Sequence, residues 1–156
     1  MPPLIVAIKI RGDVGASPDV RYTLNLLRLR RKHVAVILEA SQSILGMLKK
    51  VAEYVTWGEL DEETLALLLE KRGRLIGNKK ITEEYLKSKG FSSFKELAQA
   101  LLSGKITLKQ LPEIKPFFRL APPSGGFKKT IKKHYLAGGE LGYRGSAIRP
   151  LIKAMV

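Results

Sequence analysis

Two histidines, His33 and His134, and no cysteine stand in a chain of 156 residues, so metal and nucleophilic chemistry have few side chains to draw on. Without cysteine, disulfides and thiolate-held zinc or iron–sulfur centres are excluded. The histidines lie far apart, with no carboxylate at metal-ligand or triad spacing, and His33 reads as the start of a strand beside phosphate. Gly12 to Arg21 can be drawn as a phosphate-cradling loop closed by an arginine, the pattern of a small hydrolase of acyl phosphates. That reaction also needs a side-chain amide on the next strand to position water, and His33–Leu38 holds neither Asn nor Gln. The run Gly138-Gly139-Glu140-Leu141-Gly142-Tyr143-Arg144-Gly145 matches neither a P-loop nor a dinucleotide fingerprint and follows no clear strand, so it reads as flexible arm. No catalytic residue, cofactor or metal is expected.

The chemistry these residues do support is electrostatic. Lys and Arg number 28 against 14 Asp and Glu, a formal net charge of +14, and the pI is near 10.1. A polyanionic partner is the simplest reading. The excess is uneven: residues up to Trp57 carry nine bases and four acids, Gly58–Lys115 eleven and nine, and Pro116 onward eight and one. Three clusters result, namely Arg28-Leu29-Arg30-Arg31-Lys32-His33, Lys49-Lys50, and Lys128-Lys129 with Lys132-Lys133. Four bases in one short connection repel one another unless phosphates or counterions neutralise them. The stretch after Gly126 has little apolar surface to bury and gains order by lying on RNA. A Lys-Lys pair such as Lys49-Lys50 is as often a solvated helix face. Arg11 and Arg144 complete the candidates read from charge. Phe127, Tyr135 and Tyr143 offer rings to unpaired bases, but packing is the favoured reading for them.

The elements that must position these charges follow from periodicity. Leu4–Ile10 is an apolar, β-branched strand ended by Gly12 and Gly15. Ser17-Pro18-Asp19 opens a helix, with Ser17 as cap and Pro18 in its first position. His33–Leu38 is a second strand, followed by Ser41 or Ser43 capping a helix that carries Ile44, Met47, Leu48 and Val51 at helical spacing. Tyr54–Trp57 is a third strand, stopped by Gly58. Two helices on a three-stranded sheet make a two-layer unit. Helices then start at Asp61-Glu62-Glu63, at Thr82 and at the capping box Ser93–Glu96, ending near Gly73, Gly90 and Gly104. Phe117, Phe118 and Leu120 suggest an extended strip, and Ser146 caps a last helix with Pro150 in its first turn.

Pro18-Asp19-Val20-Arg21-Tyr22-Thr23-Leu24, then Leu27–Lys32 and Ile44–Val51, is similar to the core of the large-subunit ribosomal protein L-thirty family. The resemblance continues through Trp57-Gly58-Glu59 and Pro123–Lys129 with Gly138-Gly139-Glu140 into the longer archaeal and eukaryotic form; the short bacterial form stops near Val55. Met1-Pro2-Pro3 leading directly into the first strand looks archaeal. The resemblance implies an α+β fold with a ferredoxin-like β-α-β-α-β core and a three-stranded antiparallel sheet. It also implies binding to large-subunit ribosomal RNA, with Arg21, Arg28, Arg30, Arg31, Lys32, Lys49 and Lys50 as core contacts and Lys128, Lys129, Lys132 and Lys133 as arm contacts. Residues 1–58 are therefore expected to form the RNA-binding core, 59–115 a helical insertion, and 116–156 a basic extension with a terminal helix. The expected role is a structural constituent of the large subunit in the cytoplasm, beside other ribosomal proteins. A visiting RNA-binding assembly factor is the alternative. The apolar start Leu4–Ile8 is too short for a signal peptide, and no apolar run reaches bilayer length, so neither membrane nor small-molecule substrate is expected.

Overall fold

Strand β1, Leu4–Lys9, is buried almost throughout because it lies between two layers of helices as well as between two strands. This is seen in a computed structural model that describes residues 3–156; the Met1-Pro2 part of the archaeal-looking start lies outside them. Helix α1 (Pro18–Leu26), strand β2 (Val34–Glu39), helix α2 (Gln42–Lys50) and strand β3 (Val55–Glu59) follow in the expected order. Ser17 accepts from the Val20 amide and Ser41 from the Ile44 amide, so local capping chemistry sets both helix starts. Both neighbours of β1 are antiparallel to it, in registers that pair Ile8 with Ala35 and Ala7 with Trp57.

The sheet is larger than the three strands expected. It has six, in the order β6-β2-β1-β3-β8-β7, where β6 is Phe117–Arg119, β7 Thr130–His134 and β8 Gly139–Tyr143. The chain is thus a mixed α+β protein with a central sheet. The run from Gly138 to Gly145, expected as flexible arm, supplies a mostly buried strand parallel to β3. Thr56 Oγ1 donates to the Gly142 carbonyl at 2.7 Å and the Arg144 amide to the Trp57 carbonyl at 2.9 Å. Gly58 does not stop β3 but lies inside it. A Cβ there would stand 2.0 Å from the Gly145 carbonyl oxygen, so the glycine is what lets the last segment approach the sheet.

Helices α3 (Glu62–Arg72), α4 (Glu83–Ser88) and α5 (Phe94–Ser103) begin at Asp61, Thr82 and Ser93, each accepting a capping bond. A two-stranded hairpin, β4 (Arg74–Leu75) and β5 (Lys79–Lys80), joins α3 to α4. Helix α6 (Ile148–Met155) closes the chain. Ser146 does not cap it: a short 3₁₀ turn over Gly145–Ala147 leads straight into the helix, with no side-chain capping bond. Alternation along β1 divides the core. Ile5 and Ala7 face Leu24 of α1, Leu27 just after it and Leu48 of α2, while Val6 and Ile8 join the cluster with Leu65, Leu68, Leu97 and Ile152 of α3, α5 and α6. Helices α3, α5 and α6 therefore cover the second face of the sheet, making three layers rather than two. Among the described residues no helix is long and apolar enough to cross a membrane.

Candidate nucleic-acid interface

Strand registers bring the basic clusters to one end of the sheet. The end of β1, the starts of β2 and β3 and the end of β6 coincide there, since Lys9 pairs with Val55, Ile8 with Ala35, and Val34 with Arg119. The connection from Leu27 to His33 is held to this end by its two apolar members: Leu27 and Leu29 are both buried. Arg28, Arg30, Arg31 and Lys32 around them are exposed. Arg28 and His33 take left-handed backbone, with φ of 64° and 66°, at a cost of about 1–2 kcal/mol per non-glycine residue.

Lys9 is what fixes this turn from beneath. Its side chain is 1% exposed; the ammonium donates to the Arg30 carbonyl at 3.0 Å and pairs with Asp13 at 3.3 Å. Its carbonyl accepts the His33 amide at 2.7 Å. One buried cation thereby ties the Arg28–His33 turn to the 10–17 loop. Arg21 Nε donates to the Asp13 carbonyl at 3.2 Å and so braces that same loop, leaving no open cradle arginine of the hydrolase kind. Arg11 lies with its guanidinium carbon 5.8 Å from the Tyr54 ring centroid. Lys49 and Lys50 end α2, exposed at the helix's negative pole, and Lys50 pairs with Asp19 at 2.6 Å.

The last quarter of the chain crosses the same end. The Leu120 amide donates to the His33 carbonyl at 2.9 Å, and Phe127 stacks on His33 with centroids 6.2 Å apart. Burial, then the neighbouring charge of Lys32, lowers the His33 pKa below its ordinary 6.5, and Nδ1 is buried with no partner among the described residues. Because Thr56 pairs with Gly142, the start of β8 and the adjoining β7 extend past the start of β3. Lys128, Lys129, Lys132 and Lys133 are exposed on this projection. Glu140 accepts the Lys129 amide at 3.1 Å, and the Lys129 ammonium sits 4.9 Å from the Tyr135 ring centroid.

The family model described as ribosomal protein L30p/L7e matches residues 5–55. Across 150 residues the chain is 55% identical to the large ribosomal subunit protein uL30 of Nanoarchaeum equitans, covering 96% of each chain. The chain belongs to the uL30 family. The uL30 of Thermofilum pendens is 51% identical over 154 residues, 98% of this chain and 99% of its own. That of Staphylothermus marinus is 51% identical over 162 residues and covers both chains completely. The model match ends where β3 begins, so the insertion and the last three strands lie in the part covered by the full-length uL30 relatives.

Within this uL30 fold, thirteen of the fourteen expected contacts sit on or beside the one end. Arg144 does not. Its side chain is 5% exposed and bonds Glu140 Oε2 at 2.7 Å, the Glu140 carbonyl, and Thr56 Oγ1 at 2.8 Å. It is a structural cation that joins β8 to β3. Tyr135 is packed between Lys129 and Arg144, whereas Tyr143, its hydroxyl donating to Glu59, remains 49% exposed. Two cations escaped the sequence reading. Lys9 was masked by the apolar strand that carries it, and its position at that strand's end was the available signal. Arg119, exposed at the end of β6, stood alone in an apolar strip.

Proposed function

We propose that this chain is a structural constituent of the large ribosomal subunit that binds and stabilises its ribosomal RNA and catalyses nothing. The observation that carries the reading is the Arg28–His33 turn. Four cations stand outward on a loop fixed by the buried Leu29 and Lys9, and none of the four has an ion-pair partner among the described residues. Such a rigid set of charges suits phosphates crowded along a folded RNA, where A-form geometry favours recognition of shape over sequence. Lys49, Lys50 and the projecting lysines from Lys128 to Lys133 widen the same surface, with Arg11, Arg21 and His33 between them. The relatives' printed names place them in the large ribosomal subunit, and a cytoplasmic home beside other ribosomal proteins goes with that role.

In this reading β1-α1-β2-α2-β3 is a ferredoxin-like core, residues 1–58, that carries most contacts. Residues 59–115 act as the helical insertion and 116–156 as the basic extension. Replacing Arg28, Arg30, Arg31 and Lys32 together by Ser should weaken RNA binding and lower the slope of log affinity against log salt by about 3, at roughly 0.7–0.9 per lost phosphate contact. Thermal stability should hold. An unchanged slope in a filter-binding titration would overturn the reading. Recovery in stoichiometric amount with large subunits after a high-salt wash separates a resident protein from a visiting assembly factor.

A further inference from the structure

The insertion looks nearly neutral by count, yet its charges are sorted in space. Asp61, Glu62 and Glu63 lie at the start of α3. Arg72 ends that helix, roughly 15 Å away at 1.5 Å per residue. Arg72, Arg74, Asn78, Lys115, Phe117 and Arg119 then line an open cleft along the outer edge of β6. No acid lines it, and none of its four cations is in an ion pair among the described residues.

The cleft is built rather than incidental. The Lys115 amide donates to the Arg74 carbonyl at 2.9 Å, and Leu75 bridges to Ile114, so the hairpin and the run into β6 are fastened together. One nitrogen of Arg74 is held by the carbonyls of Lys71 and Gly73, at 3.3 and 2.9 Å, which leaves its other N–H groups free to meet a ligand. Arg119 lies over the Phe117 ring at 5.9 Å. Glu113, two residues before Lys115, is taken by Tyr85 and Lys89 at 3.0 and 3.2 Å. Arg72 and Arg74 also meet the negative end of α3, Arg74 through the Lys71 carbonyl, but Lys115 and Arg119, on the run through β6, have no such use.

We infer that this cleft is a second phosphate-binding site, holding the backbone of an RNA strand along the β6 edge. The inference rests on the RNA-binding reading above and extends it to a surface formed largely by the insertion. Three arginines supply planar forks matched to phosphate oxygens. RNA is favoured over an acidic peptide by continuity: Arg119 pairs with Val34 across the sheet, and the next residue's amide reaches the His33 carbonyl, so the cleft runs into the basic end of the sheet.

Because the chain contains no cysteine, single introduced thiols can carry a benzophenone crosslinker to chosen places. Lys80→Cys places it on the exposed hairpin beside the cleft, and Arg31→Cys on the Arg28–His33 turn. The probe is purified, partially fragmented large-subunit ribosomal RNA, followed by crosslinking of each labelled protein within assembled subunits. Both positions are expected to crosslink to RNA. Adding Arg72→Ser, Arg74→Ser and Lys115→Ser should cut the Lys80 crosslink at least tenfold and leave the Arg31 crosslink within twofold. An Arg31 crosslink without one at Lys80, or a Lys80 crosslink to protein in subunits, overturns the second site and leaves the proposed function standing. Failure at both positions overturns the proposed function itself.

Discussion

The two ends of the sheet use the same side chains differently. At the far end, where β3 finishes and α3 starts, the cations have acids assigned to them: Arg149 with Asp61 at 3.9 Å, Lys153 with Glu63 at 3.4 Å and Lys95 with Glu62 at 3.8 Å. At the opposite end, Arg28, Arg30, Arg31 and Lys32 have none among the described residues, although the backbone beneath them is tightly held. Exposure does not distinguish the two sets; partnership does. A lysine answered within the chain is finished, whereas a rigid loop of unanswered cations requires a counter-charge from outside.

That contrast can be broken in order of expected effect. Arg144→Met strands Glu140 in the interior and should cost about 3–5 kcal/mol in urea unfolding, as for a buried pair losing one member. Adding Glu140→Gln should restore part of the loss, and no restoration would mean that the pair is not what holds β8. Lys9→Met leaves the Arg30 carbonyl and Asp13 without their cation and should cost about 1–3 kcal/mol. It should also weaken RNA binding with all four outer cations intact; full affinity would show that the turn needs no seat. Lys153→Ala at the far end should change stability by less than about 1 kcal/mol and RNA affinity not at all. A measurable loss of affinity there would erase the distinction between the ends.

The smallest effect is on protons. His33 titrates below 6.5 in the folded chain, so the unfolded chain takes up a proton first as pH falls. Its contribution is whole above about 6.5 and is lost as pH drops from there toward the folded value. Bound phosphate would favour the imidazolium, so RNA should raise the His33 pKa in an NMR titration. A value indifferent to RNA would remove His33 from the interface.

Local rules made much of this architecture legible. Ser17, Ser41, Asp61, Thr82 and Ser93 each cap the helix expected of them, because capping is settled within four residues. The near-continuous apolar character of β1 marked a strand, but the two-layer unit expected around it left out the helices on its second face, which are not written locally. Gly139–Tyr143 was misread because Gly-Glu-Leu-Gly-Tyr has little intrinsic strand character; pairing with Thr56 and Trp57, more than eighty residues earlier, makes it one. Arg144 was misassigned for a related reason. A basic residue in a basic segment looks solvent-bound until the fold brings Glu140 and Thr56 to it. The Arg28–His33 cluster was visible from charge alone, but what holds it, Leu29 beneath and Lys9 across the sheet, was not.

Both flanks of the β2-β1-β3 trio are sealed by segments from the last quarter of the chain, β6 on one side and β8 on the other. Ladders with such sequence separation form late, since loop closure over that distance is slow. Until they arrive, the trio presents two bare rows of peptide donors and acceptors, the template by which one nascent chain captures another. Docking of the distal strands thus doubles as protection against self-association.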